Sequence, residues 1–226
     1  MAVMTWEDLV SICGKNGLTV DESALPLLRK YADELLSWNS KINLISRKDE
    51  DHILDRHILH SLVLRMPTIC DYDFSNKRVA DLGTGGGMPG IPFKIVTSSA
   101  EVTLIDSIQK KIIACSAMIA ELKLNGISAV VGRAEELAKQ KEYAHSFDVI
   151  ISRAVAPMDE LVKWGRGLLK TGGALFSLKG GDLTEEIKRT RRLNYIVSVE
   201  EIPLSLAGFD NFVTEDKKLV KAVFGP

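Results

Sequence analysis

The sequence predicts an α/β fold: a seven-stranded, mostly parallel sheet with helices on both faces and an N-terminal helical extension. Three observations predict it. From Val79 onward, short apolar runs alternate with amphipathic stretches, the runs being VADLG, EVTLID, SAVVG, FDVIIS and GALFSLK. Such alternation builds a parallel sheet with helices packed on its faces. Two further runs, YIVSVEEIPL and KLVKAVF, lie close together near the C-terminus, as an antiparallel pair at one sheet edge would. Before residue 70 strand-like alternation is absent, and Leu27, Leu28, Tyr31, Leu35, Trp38 and Ile42 recur at helical spacing.

Taken in order, the first helical stretch is followed by a second, with Ile53, Leu54, His57, Ile58, Ser61 and Leu62 on its apolar side. Ser46-Arg47-Lys48-Asp49 precedes it and fits the pattern of a helix start, in which a hydroxyl and an acid three residues on cap each other. The loop-like DYDFSNKR, residues 71 to 78, then changes the rhythm. Residues 1–70 are therefore read as a helical extension packed on the core, and 71–226 as the sheet domain. Helices are expected over 90–97, 107–123, 134–141 and 158–169.

With 226 residues, 46% of them apolar and 26% charged, the chain has the composition of a folded protein and not of a disordered one. No apolar stretch approaches bilayer length, and the N-terminus MAVMTWEDLV meets acidic residues at once, so neither a membrane span nor a signal peptide is expected. Cys13, Cys70 and Cys115 form no CxxC pair, which fits a reducing compartment, the cytoplasm, and thiols without chemistry. His57 and His60 are three apart, but no metal-binding pattern completes them, and no metal is expected. No coiled-coil pattern demands a dimer, so a monomer is expected. With 29 basic against 30 acidic residues, any case for a nucleic-acid partner must be local. Lys163, Arg166, Lys170, Lys179, Lys188, Arg189, Arg191 and Arg192 form such a local excess, although the KRTRR run also reads as a solvated helix end.

The segment DLGTGGGMPG, Asp81 to Gly90, has glycine at 83, 85, 86, 87 and 90, directly after one strand and before a helix. Glycine there lets the chain turn sharply and approach a ligand, and a ligand is expected. Gly85, Gly87 and Gly90 satisfy the GxGxxG of dinucleotide folds, but Asp81 and Pro89 disturb that pattern. Asp106 ends the second strand, where a carboxylate can accept both ribose hydroxyls of an adenosine cofactor. Ala134 and Glu135 follow the third strand, a position that also suits a bare helix start. After the fourth strand comes Ser152-Arg153-Ala154, with neither an NPPY or DPPY sequence nor a cysteine nucleophile. This leaves acceptors that are already nucleophilic, such as guanine N7. Lys179, ending FSLKG, is expected at the site edge near Arg153.

The run Asp81-Leu82-Gly83-Thr84-Gly85-Gly86-Gly87 resembles the first motif of S-adenosylmethionine-dependent methyltransferases of the Rossmann-like class I fold. More specifically, the chain resembles the small-subunit rRNA guanine-N7 methyltransferases, also called the glucose-inhibited division protein B family. Asn43-Leu44 resembles the family's NL, Arg56-His57 with Ser61-Leu62 its RHxxDSL, and Asp81 to Pro92 its DxGSGxGFPGIP. Asp106-Ser107, Glu135, Ser152-Arg153-Ala154 and Lys179-Gly180 follow in order.

The resemblance implies methyl transfer from S-adenosyl-L-methionine to N7 of a guanine in a conserved loop of 16S rRNA, free or in the small ribosomal subunit. It places Asp81, Gly83, Gly85, Gly87, Met88, Asp106, Ser107, Ile108, Ala134, Glu135 and Arg153 around the cofactor. Arg153, Lys179, Asn43, Arg56 and His57 become candidates for positioning substrate, and Lys179, Lys188, Arg189, Arg191 and Arg192 for contacting RNA. Thr84 stands for the family's Ser, Met88 for Phe and His60 for Asp. The alternatives are a methyltransferase for another RNA, a protein or a small molecule, a nicotinamide dehydrogenase, and a non-catalytic RNA-binding protein.

Overall fold

The structure is a computed structural model describing residues 3–225; residues 1, 2 and 226, the outermost positions of the two expected segments and part of the N-terminal stretch read for a signal peptide, lie outside it. The segment that precedes the sheet is helical. Helix α1 (Trp6–Lys15) starts with a complete capping box, in which Thr5 and Asp8 satisfy each other's amides. Asp21 accepts from the amides of Ser23 and Ala24 at 2.9 and 2.8 Å and so starts α2 (Ala24–Asn39). A broken helical run follows: a 3-10 turn Arg47–His52, a π-helix Ile53–Leu59, the short α3 (His60–Leu62) and a 3-10 turn Val63–Arg65. Ser46 caps the run by accepting from Lys48 N. The return half of the expected box is missing, because the Asp49 carboxylate is paired with Arg56.

The sheet holds β1 (Arg78–Leu82), β2 (Glu101–Asp106), β3 (Ile127–Val131), β4 (Phe147–Arg153), β5 (Leu169–Gly180), β6 (Ile196–Pro203) and β7 (Lys217–Phe224). Its order is β3-β2-β1-β4-β5-β7-β6. The first five strands are parallel, and β7 runs antiparallel to both β5 and β6. Between them lie α4 (Gly90–Ile95), α5 (Gln109–Glu121), α6 (Ala134–Leu137), α7 (Met158–Gly165), α8 (Thr184–Arg191) and α9 (Asn211–Thr214). Helices α4 to α7 are each shorter than their sequence pattern predicts, most of all α6, because apolar spacing continues through turns that do not keep helical hydrogen bonds.

Two cores sandwich the sheet. On one face Leu28, Leu35, Ile58 and Leu62 of the N-terminal segment join Val79, Val149, Ile151 and Phe176 of the strands in one cluster. On the other, Ala80, Ile150 and Leu175 pack with Leu161 and Val162 of α7 and Ile187 of α8. The strand order reverses between β1 and β4, and at such a switch point the loops leave in opposite directions and open a crevice beyond the carboxyl ends of the strands.

Candidate active site at the carboxyl edge

A cavity of about 400 Å³ occupies that crevice. Leu82 and Gly83 at the end of β1, Asp106 and Ser107 after β2, Ala134 and Glu135 starting α6, and Arg153 ending β4 all line it. Six of the residues singled out in the sequence thus share one wall. Asp106 is the most constrained of them: its two carboxylate oxygens accept from Gly85 N at 3.0 Å and Ile108 N at 2.9 Å. A carboxylate offers about four lone-pair sites, so acceptor capacity remains toward the cavity. Ile108 and Gly85 contribute through these amides and do not line the cavity itself.

The glycine loop divides into two halves. Gly83 and Gly85 have positive φ, of 70° and 57°, and Gly85 faces open space, with nothing nearer than 3.9 Å to where a Cβ would stand. The back half is packed. A Cβ on Gly86 would lie 2.7 Å from Leu35 Cδ1, one on Gly87 2.4 Å from Ile91 Cδ1, and one on Gly90 2.3 Å from Leu104 Cδ2. Those three glycines admit neighbouring side chains, so Gly87, expected at the cofactor, is a packing residue. Tyr31 on α2 donates to Gly86 O at 2.8 Å, which fixes the loop to the N-terminal segment.

Asp81 lies beneath the loop, fully buried. Its Oδ2 accepts from Thr84 Oγ1 at 2.6 Å and Gly90 N at 2.8 Å, while Oδ1 is buried without a partner. Burial pushes this carboxyl up to about 7, against the lowering effect of those two hydrogen bonds. Met88, joined to Pro89 by a cis peptide, is buried below Arg153, whose Nη2 lies 3.4 Å from its sulfur.

Arg153 is also the hinge between this cavity and a second one of about 390 Å³, lined by Asp49, Arg56, His57, His60, Arg153, Ala154, Glu215 and Lys217. Arg153 and Ala154 line both. The guanidinium donates to Arg56 O at 2.9 Å and meets His57 Nδ1 at 2.9 Å. His57 and His60 are 7% and 6% exposed. Burial, reinforced by the charge of Arg153, pushes His57 down to about 3 and His60 well below its ordinary value, so both rings are neutral at pH 7. Ala154 holds a left-handed backbone, φ 53°, at this junction, a conformation costing about 1 to 2 kcal/mol for a residue with a Cβ and one that gathers at functional sites.

Other expected residues lie elsewhere. Lys179 is not beside Arg153: the register pairs Arg153 with Leu178, so Lys179, one residue on, faces the opposite side of the sheet. There its ammonium bonds Glu186 at 2.8 Å and Ala156 O at 2.8 Å. Arg189 is held by Asp159 at 3.0 Å and Arg191 by Val199 O at 3.1 Å. Only Lys188 and Arg192 of that cluster extend from α8 without a close partner, since Lys188 is 3.8 Å from Glu185 and Arg192 has no ion pair among the described residues. Asn43 is exposed in a shallow cleft with residues 44 to 47, outside both cavities.

Sequence reasoning missed Trp164 and Val155 of the first cavity and Glu215 and Lys217 of the second. None belongs to a motif. Val155 was foreshadowed only by Gly83, whose absent Cβ would stand 2.5 Å from Val155 Cγ2. The three cysteines are free and buried, and no metal-binding cluster exists among the described residues. Within the same residues no helix is long and apolar enough to cross a membrane.

Solved structures share this architecture at low identity. A structure described as a predicted O-methyltransferase from Agrobacterium tumefaciens matches with a TM-score of 0.57 at 18% identity, over 74% of this chain and 81% of that one. The cyclase SpnF matches with a TM-score of 0.56 at 16% identity, over 90% and 96%. Two such different descriptions on one architecture show that the likeness speaks to fold alone. Sequence relatives are closer. The ribosomal RNA small subunit methyltransferase G of Chlorobaculum tepidum is 42% identical over 87% of this chain and 89% of its own. That of Chlorobium limicola is 38% identical over 94% of both. The sequence model of GidB, rRNA small subunit methyltransferase G, matches residues 24–210. The chain therefore belongs to the GidB family, the rRNA small subunit methyltransferases G.

Proposed function

We propose that this chain transfers the methyl group of S-adenosyl-L-methionine to N7 of one guanine in a conserved loop of 16S rRNA, acting in the cytoplasm as a monomer. The observation that carries the reading is the pair of cavities sharing Arg153 and Ala154, one suited to a nucleoside cofactor and the other open to an acceptor. The first fits the cofactor: Asp106 has acceptor capacity for two ribose hydroxyls, Gly85 leaves room where a Cβ would stand, and Glu135 and Ser107 add polar edges. From the helical segment, Asp49, Arg56, His57 and His60 serve as one side of the second cavity and Tyr31 as the clamp on Gly86.

When bound, the cofactor supplies an electrophilic methyl group on a sulfonium sulfur, and guanine N7, with its free lone pair, accepts it by direct displacement. The protein's task is then alignment and not proton removal. Arg153, tied to Arg56 O and His57, keeps one geometry at the boundary. A neutral His57 adds no charge against the developing positive guanine. Lys188 and Arg192 serve as backbone-phosphate contacts. Incubation of the protein and labelled S-adenosylmethionine with small-subunit rRNA, free and in subunits, from cells lacking the corresponding gene should yield a single 7-methylguanosine by mass spectrometry. Cofactor binding with no transfer to either substrate would move the reading to another acceptor.

A further inference from the structure

We propose that the second cavity reads the Watson–Crick edge of the acceptor guanine, His57 Nε2–H donating to the base carbonyl and the Glu215 carboxylate accepting from the ring N–H and exocyclic amine. The proposal rests on the guanine reading above and adds the residues that choose the base.

His57 has its tautomer fixed by its neighbour. A guanidinium only donates, so the 2.9 Å contact from Arg153 Nη2 makes Nδ1 the lone-pair nitrogen. In a neutral ring the proton then sits on Nε2. That nitrogen is buried without a hydrogen-bond partner, and the nearest carboxylate oxygen, Asp49 Oδ2, is 3.9 Å away, beyond hydrogen-bond range. Asp49 itself is committed to Arg56. The wall thus holds an N–H donor with no protein partner among the described residues, and leaving such a donor unpaired is unfavourable.

Glu215 supplies the complementary group. It sits in the turn between α9 and β7, and that turn is braced from behind. Lys218 bonds Gly181 O at 2.8 Å, Glu201 at 3.0 Å and Asp216 at 3.2 Å, and Gly181 N donates to Asp216 O at 3.1 Å. Glu215 has only Lys217, at 3.4 Å, within ion-pair distance among the described residues. With Asp49 occupied, Glu215 is the carboxylate left to accept in this cavity.

Guanine presents an acceptor and then two donors along this edge. Adenine presents a donor in place of the carbonyl and a bare ring nitrogen, so the same wall rejects it. The order also agrees with chemistry at N7. His57 adjoins Arg153, which reaches the first cavity, whereas Glu215 lines only the second. The carbonyl is the group next to N7 on the base, so a guanine held this way turns N7 toward the first cavity.

The test uses the full chain and small-subunit rRNA built by ligation with guanine, inosine or 2-aminopurine at the mapped acceptor. Inosine lacks the exocyclic amine, and 2-aminopurine lacks the carbonyl together with the ring N–H. The unaltered chain should lose about tenfold or more in kcat/KM on either analogue, the scale of one lost hydrogen bond in a site built for it. In Glu215→Ala the guanine-to-inosine ratio should fall to near one, in Glu215→Gln it should be intermediate, and in His57→Phe the guanine-to-2-aminopurine ratio should fall. Calorimetric affinity for S-adenosylmethionine should be unchanged in both Glu215 variants, which also reports folding. Guanine methylation with an undiminished inosine ratio in Glu215→Ala overturns the base-reading alone. Absence of transfer to guanine by the unaltered chain overturns the functional reading with it.

Discussion

The two cavities that meet at Arg153 are built by different means. The first is walled by strand ends and backbone amides: Asp106 is fixed by Gly85 N and Ile108 N, and Gly83 by its bond to Ile105 O at 2.8 Å. The second is walled by long side chains from three segments remote in sequence, cross-braced by Asp49 with Arg56, Arg153 with His57, and Glu215 with Lys217. Sheet register sets the first wall, where pH enters through buried Asp81 beneath the glycine loop and salt has little hold. Charge and protonation set the second, which therefore responds to both.

The largest expected break is Asp106→Ala, which removes a charged acceptor from the first wall and frees Gly85 N. Hydrogen bonds to charged groups contribute about 1.5 to 3 kcal/mol each, so titration calorimetry should show S-adenosylmethionine binding weakened by on the order of a hundredfold. Gly90→Ala and Gly85→Ala then separate the two halves of the loop. The first would drive a Cβ to 2.3 Å from Leu104 Cδ2 and 2.7 Å from Asp81 Oδ2, and overpacking of this kind costs about 1 to 3 kcal/mol, read as a lowered Tm. Gly85→Ala meets open space, so its stability cost should be limited to about 1 to 2 kcal/mol for the left-handed backbone. Its cofactor affinity should fall by more than that of Gly90→Ala.

Acidification should act through the second cavity. His57 is pushed down to about 3 and His60 well below 6.5 by burial, so between pH 6.5 and 3 the unfolded chain takes up protons that the folded chain refuses, and stability falls as pH falls. Asp81, pushed up to about 7, acts oppositely: between 3.8 and 7 the folded carboxyl keeps a proton that the unfolded one has lost, and stability falls as pH rises. Two groups oppose one, so the net result below pH 6.5 is loss of stability on acidification. Asp81→Asn removes the opposing group and should steepen the fall of Tm, while His57→Gln should flatten it. The smallest effect is expected at Lys188 and Arg192: their double Ala variant should weaken RNA binding and reduce its salt slope by about 1 to 2. An unchanged slope would remove α8 from the interface.

The same contrast explains what could be read in the sequence. The first wall was legible because each part lies within a few residues of a strand end, where DLGTGGG, LID and GRAE place glycine, carboxylate and helix start together. Its excess of glycine was read as ligand space, yet Gly86, Gly87 and Gly90 serve packing, since a sequence does not say which Cβ would clash. In the second wall Arg56, His57 and Arg153 were found through family motifs, but Glu215 and Lys217 arrive through the β5-β7 pairing, which no local pattern encodes. Lys179 was misplaced by a single residue of register. The KRTRR run reads as one patch, although Asp159 holds Arg189 and Val199 O holds Arg191, which leaves Lys188 and Arg192, four apart, without a close partner among the described residues.

The most direct test of the division at Arg153 compares Asp106→Ala and Glu215→Ala in parallel, measuring S-adenosylmethionine affinity by calorimetry and single-turnover methylation of small-subunit rRNA at saturating cofactor. The account predicts lost affinity in the first, and in the second unchanged affinity with a rate reduced by about tenfold, or about 1.4 kcal/mol. Equal loss of affinity in both variants, or a full rate in Glu215→Ala, would contradict it.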